Sequence, residues 1–173
     1  MKKYLSKKEF TKPMFIFVIS LVFITFIMFG MLSTLKLGIY SSIVNGSSME
    51  KTLSDKTKIL FVKANLIPIK RGDIVSVDAY DSVLGNFHYI KRVIGLPNEE
   101  ISIKGSKVYI NGNLLEEPYA YYSKESSDNF VFQLSDDEYF IMGDNRCDSE
   151  DSRYIGAIKE ERILSLVFKY RKK

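Results

Sequence analysis

Residues 14–32 read MFIFVISLVFITFIMFGML, and the charge-free stretch around them runs from Pro13 to Leu35. At ~1.5 Å per residue these 19 residues form a helix of roughly 28 Å, close to the ~30 Å hydrocarbon core of a bilayer. Ser20 and Thr25 are the polar interruptions, and each hydroxyl can bond back to a carbonyl of its own helix. A cleaved export signal has a shorter apolar region, about 7–15 residues, followed by a small-residue cleavage site. This run is longer and no clean small-x-small site follows it. We read 14–35 as an uncleaved transmembrane signal anchor, rather than a cleaved peptide or a buried core helix.

Working outward, residues 1–13 carry Lys2, Lys3, Lys7, Lys8 and Lys12 against a single Glu9. The other 160 residues hold 20 basic and 20 acidic side chains. The excess positive charge therefore belongs to the tail alone. By the positive-inside rule, 1–13 is expected to be a cytoplasmic basic tail and 36–173 an extracytoplasmic domain. A neutral body has no charge-based reason to bind nucleic acid, and none is expected as a partner. The anchor makes membrane lipid one. Lys36 is followed by the mostly apolar 37–44, which suggests a body sitting low on the membrane surface.

Beyond the anchor, short β-like runs alternate with turn signals. They are 58–63 (KILFVK), 73–79 (DIVSVDA, after Arg71-Gly72), 87–94 (FHYIKRVI), 107–115, 130–134, 138–142 and 164–170. Within 107–115, Asn111-Gly112 is the dipeptide of a type I′ hairpin turn. The 23 aromatic residues, all Phe or Tyr, suit strands. The expected fold class is mainly β: a small barrel or sandwich-like body preceded by one N-terminal transmembrane helix.

The chemistry-bearing residues are few. Cys147 is the only cysteine and His88 the only histidine, so neither a disulfide framework nor a usual zinc site can form. No metal or cofactor is implied. His88 lies between Phe87 and Tyr89 in a strand-like run and reads as an ordinary strand residue. A Cys147–His88 pair is formally possible, but nothing local supports it.

Three segments stand out. In 45–53 (NGSSMEKTL) a glycine and small polar residues imply a tight turn able to expose a serine and aim backbone N–H groups at one point. Such turns are also common as plain loops. In 89–97 (YIKRVIGLP) strand alternation puts Lys91 on a face with Tyr89 and Val93, and Arg92 on the other with Ile90 and Ile94. A lysine among apolar neighbours loses hydration and with it basicity, and at a pKa of ~7–8 it can act as a general base. The alternative is a surface lysine with its head in water. In 143–156 (GDNRCDSEDSRYIG) four carboxylates and two arginines interleave. A solvated loop explains the polarity, whereas the interleaving suits internal ion pairs that fix the loop.

Together these segments resemble the sequence boxes of bacterial type I signal peptidases, in order and spacing over essentially the whole chain. The family's Ser-Met-x-Pro-Thr-Leu appears as residues 48–53, Arg-Gly-Asp-Ile-Val as 71–75, and Lys-Arg-Val-Ile-Gly-Leu-Pro-Gly-Asp as 91–99. Tyr-Ile-Asn-Gly at 109–112 and Glu-Pro-Tyr at 117–119 are family-like too. The resemblance implies a signal-peptidase-like β body of the compact Gram-positive type. It implies Ser48 as nucleophile, Lys91 as general base, Ser149 as the serine hydrogen-bonding that lysine, and Asp144, Arg146, Asp151 and Arg153 as supporting charges. An oxyanion donor is expected near Gly46, from backbone, beside the Ser48 N–H. The implied partners are exported precursor proteins with signal peptides.

Three departures accompany the match. Lys51 stands where the family has proline, which removes a rigid φ and adds a charge near the site. Asn98-Glu99 replaces Gly-Asp at a turn, and Cys147 is a free thiol in the last box. Lys51 and the altered last box motivate one alternative: a signal-peptidase-like accessory factor for surface-protein or pilus assembly, with reduced or no peptidase activity.

Overall fold

The computed structural model describes residues 7–36, 38–81 and 85–170. The chain divides into two units, 1–38 and 39–173. The first holds helix α1, Lys7–Lys36. It starts ahead of the apolar run and takes in Pro13. Ser20 Oγ donates to Phe17 O and Thr25 Oγ1 to Val22 O, both at 2.8 Å, as the sequence led us to expect. The apolar side chains of 14–32 are exposed all round the helix. A helix apolar on every side has no aqueous face, so a lipid environment fits it and water does not. Pro13–Ser33 is long and apolar enough to cross a membrane.

The second unit is mainly β, and the strand pairs of its two sheets are all antiparallel. Its strands are β1 (Ile39–Ile43), β2 (Lys58–Lys63), β3 (Ile74–Asp81), β4 (Gly85–Gly95), β5 (Glu100–Lys104), β6 (Lys107–Ile110), β7 (Asn113–Leu114), β8 (Asn129–Gln133), β9 (Glu138–Met142), β10 (Ile158–Lys159) and β11 (Ile163–Tyr170). One sheet runs β1-β2-β11-β3-β4-β9-β10 and a smaller one β7-β6-β5-β8. The mainly β reading holds, and every strand-like run of the sequence is a strand.

Besides the two-residue β10 and two short 3-10 turns, three elements were not anticipated. β5 (EISIK) alternates polar and apolar residues and could have been read. β1 (IYSSI) pairs with β2 along its whole length but buries none of its own side chains, so burial periodicity could not reveal it. The third is α2 (Ser152–Ile155), a single turn capped by the Asp151 side chain.

The hairpin at Asn111-Gly112 forms as expected, with φ of +50° and +79°. Both central residues of a type I′ turn need positive φ, which asparagine tolerates and glycine takes freely.

The core has three apolar clusters, and β4 touches all of them. Tyr89 and Val93 belong to the cluster with Val75, Val77 and Ile141. Ile94 joins Ile101, Val108 and Phe140 under the small sheet. Ile90 packs on Met49, Leu53 and Phe61. A strand buried on both faces cannot shift register without moving every side chain to the wrong side. That fixes where Lys91 points.

Candidate active site

Ser48 lies in the turn after Val44. The turn is closed by Glu50 N–H to Ser47 O (2.9 Å) and Leu53 N–H to Met49 O (2.7 Å). Met49 and Leu53 are buried and anchor it from below. Met49 and Leu53 flank a hydrophilic stretch, so the turn is pinned by its ends while Ser48 faces a cleft of about 590 Å³. Ile43, Val44, Tyr89, Ile90 and Lys91 also line that cleft.

Lys91 reaches the cleft from β4. It is 3% exposed, and its Nζ lies 2.8 Å from Ser48 Oγ. Burial lowers its pKa from 10.5 to about 8, against the opposing pull of Asp151 and then Glu150. The ring of Tyr89 stands 5.1 Å from Nζ. The snorkelling alternative is thereby excluded: this amine is inside. An unshifted lysine would be almost wholly protonated at neutral pH, whereas this one has an accessible neutral form.

The supporting residues form one network. Asp151 Oδ2 accepts from Gly143 N–H (2.9 Å), Ser149 Oγ (2.8 Å) and Arg153 Nη2 (3.0 Å). Arg153 continues to Asp128 Oδ2 (3.1 Å) and to Arg146 O (2.7 Å). Arg146 holds Glu117 through two parallel bonds, Nη2 to Oε1 (2.5 Å) and Nη1 to Oε2 (2.9 Å), and bonds Gly143 O through Nε (3.0 Å). Asp144 is fully buried and takes two bonds from Arg92. Buried charges need such pairing, because each left alone would cost several kcal/mol. Gly143 is fixed by contact: a Cβ there would lie 2.2 Å from Ser149 Oγ and 2.5 Å from Ser48 O.

Two implied contacts differ here. Ser149 Oγ donates to Asp151, and among the described residues Lys91 Nζ hydrogen-bonds Ser48 alone. A carboxylate is the stronger acceptor for a hydroxyl, and the Asp151 that takes this one is also the largest charge opposing the fall in the Lys91 pKa. Near Gly46, the expected N–H donor is engaged: it donates to Asp55 Oδ1 at 2.9 Å. The Ser48 N–H meets no acceptor among the described residues, which leaves it available to an oxyanion.

Arg92, Glu117 and Thr52 escaped the sequence reading as site residues. The Arg92 guanidinium joins Asp144 to Gly72 O (2.7 Å) and Thr52 Oγ1 (3.5 Å), tying three boxes together. The Lys91-Arg92 tandem was its only local signal. Glu99, one of the departures, grips Arg71 and takes the Leu96 N–H, while Asn98 accepts φ +66°. Lys51 stands at φ +71°, and its ammonium lies over the Tyr121 ring. Proline, confined to φ near −65°, cannot occupy that backbone.

The sequence matches the family described as "Signal peptidase, peptidase S26" over residues 13–170. The chain belongs to the S26 signal peptidases. Signal peptidase I T of Bacillus subtilis (strain 168) is 40% identical over 134 residues, covering 70% of this chain and 68% of that protein. Signal peptidase I U of the same strain is 35% identical over a 181-residue alignment, 96% of this chain and 93% of that protein. A solved signal peptidase I from Enterococcus faecalis V583 is 28% identical, covers 58% of this chain and 97% of its own, and superposes with a TM-score of 0.48. As an S26 signal peptidase the chain is a serine peptidase.

Proposed function

We propose that this signal peptidase hydrolyses the peptide bond that follows the signal peptide of exported precursors, with Ser48 as nucleophile and Lys91 as general base. One observation carries the reading: a buried amine of lowered basicity 2.8 Å from a serine hydroxyl in an open cleft. When Lys91 is neutral the bond reverses direction, and Ser48 Oγ–H donates to the Nζ lone pair. Nζ takes that proton as Oγ adds to the scissile carbonyl carbon. The Ser48 N–H faces the resulting oxyanion. Lys91 returns the proton to the leaving amine, which frees the mature chain and leaves an acyl-enzyme. Water, deprotonated by the same Nζ, then displaces Ser48. Asp151, Arg153 and Ser149 hold the loop beside Lys91, and Asp144 and Arg146 brace it from behind. The apolar lining of the cleft suits the small side chains of an Ala-x-Ala cleavage signal. A dyad with its amine buried and its serine in contact is what catalysis requires. An accessory factor without peptidase activity would have no use for it.

The test is cleavage of a precursor bearing an Ala-x-Ala site by the full chain in detergent. Ser48→Ala is expected to abolish cleavage with circular dichroism unchanged. A Ser48→Ala protein that still cleaves would remove the dyad.

We also propose that residues 1–13 stay in the cytoplasm and that the β body works outside. The tail's lysines and the charge-free span support this orientation. Exposed apolar side chains on β1, β2 and β11, among them Ile39, Ile43, Leu60 and Phe168, suit contact with the lipid surface. Cys147, the only thiol, is partly exposed and reports the side directly. A membrane-impermeant maleimide is expected to label it in intact cells. Labelling only after lysis would reverse the orientation.

A further inference from the structure

Lys51 occupies the left-handed region, φ +71°, where an L side chain is strained and glycine is not. Its ammonium sits 3.6 Å above the Tyr121 ring centroid. Tyr121 is itself held on both sides, its N–H donating to Asp144 O (2.7 Å) and its carbonyl accepting from Arg146 N–H (2.9 Å). Between those two, Asn145 N–H donates to Ser48 O (3.0 Å), and Asn145 Nδ2 to Ser47 O (3.2 Å). The contacts thus close a ring: Ser48, the turn to Lys51, Tyr121, the 144–146 backbone, and Ser48 again.

We propose that Lys51 is a positioning residue, and that its cation–π contact with Tyr121 clamps the serine turn and holds Ser48 Oγ within reach of Lys91. Three observations meet here. The strained backbone points the lysine side chain at the ring. The backbone that carries the ring is fixed by main-chain bonds that do not depend on Lys51. The segment fixing it also holds the carbonyl of the nucleophile. Met49 and Leu53 restrain the turn from the core side, and the Lys51 clamp restrains it from the other. A misplacement of about 1 Å at a reacting group can cost on the order of 10²-fold in rate, so a modest contact at this point affects turnover.

This inference rests on Ser48 being the nucleophile, so Ser48→Ala runs in the same assay. The full chain in detergent is compared with Lys51→Gly, which accepts the backbone and lacks the cation, Lys51→Arg, which keeps the cation, Tyr121→Leu, and the Gly/Leu double variant. Lys51→Gly and Tyr121→Leu are each expected to lower kcat about five- to tenfold with KM within about twofold. The double variant should be no worse than the poorer single, and Lys51→Arg should restore most of the rate. The melting temperature of Lys51→Gly should not fall, because glycine relieves the φ strain. Wild-type kcat in Lys51→Gly, multiplying effects in the double variant, or failure of Lys51→Arg to rescue would overturn the clamp. Should Tyr121→Leu fail to fold, the Gly and Arg variants at Lys51 decide alone. An active Ser48→Ala would instead remove the reading on which the clamp rests.

Discussion

Replacing Lys91 by methionine is expected to lower precursor cleavage by roughly 10²–10⁴-fold, the span of a general base, while making the folded protein more stable. Methionine fills a similar volume without an amine to desolvate. The wild-type lysine pays for its burial: the fall from 10.5 to about 8 corresponds to roughly 3 kcal/mol at ~1.36 kcal/mol per pH unit. The sign follows from proton counting. Unfolded, this lysine holds its proton up to pH 10.5, and folded only up to about 8. Between those values the unfolded chain binds more protons, so wild-type stability rises with pH across that window. Below pH 8 the penalty is complete, and there the methionine variant should gain most, less about 1 kcal/mol for the lost bond to Ser48. Wild-type kcat/KM should climb through a pKa near 8 as Lys91 becomes neutral. Denaturation at several pH values, beside a pH–rate profile, checks all of this. A variant no more stable than wild type at pH 7, or a rate falling as pH rises through 8, would contradict the buried neutral base.

Arg146→Ala is expected to be the most destabilising single change in the last box, by about 3–5 kcal/mol. The Arg146 side chain is 0% exposed and that of Glu117 7%. Removing the guanidinium strands a buried carboxylate and leaves Gly143 O without its Nε donor. For a body of this size the loss should lower the melting temperature by roughly 10 °C or more. Activity should fall with it, because Gly143 packs against Ser48 O and Ser149. Pairing Arg146→Met with Glu117→Leu should recover most of the stability, since removing both charges leaves none uncompensated. Thermal unfolding of the three proteins by circular dichroism tests this. A double variant as unstable as Arg146→Ala would mean that the charge pair is not what holds the loop.

Much of this was visible before any coordinates. Strand alternation at 89–94 put Lys91 and Arg92 on opposite faces, and the three core clusters that β4 touches keep them there. The lysine-rich tail, the apolar span and the Asn111-Gly112 turn are local signals with local causes. The partner of each charge was not visible. Glu117 and Arg146 are 29 residues apart, and Arg92 and Asp144 are 52 apart. Nothing in either segment names the other. Lys51 is the sharpest case. As a sequence departure it meant a lost proline and an added charge near the dyad. In the fold its φ excludes proline, and its charge is spent on Tyr121.

By itself, then, the sequence determined the long apolar helix and the β character of the body, and it offered Ser48 and Lys91 as candidates, because helix length, strand period and turn chemistry are set within a few residues. Only the tertiary structure decided that Lys91 is buried against Ser48, that Asp151 takes the Ser149 hydroxyl, and that Gly46 is already engaged by Asp55. Desolvation and hydrogen-bond competition depend on what packs from elsewhere in the chain, and no window of sequence contains it.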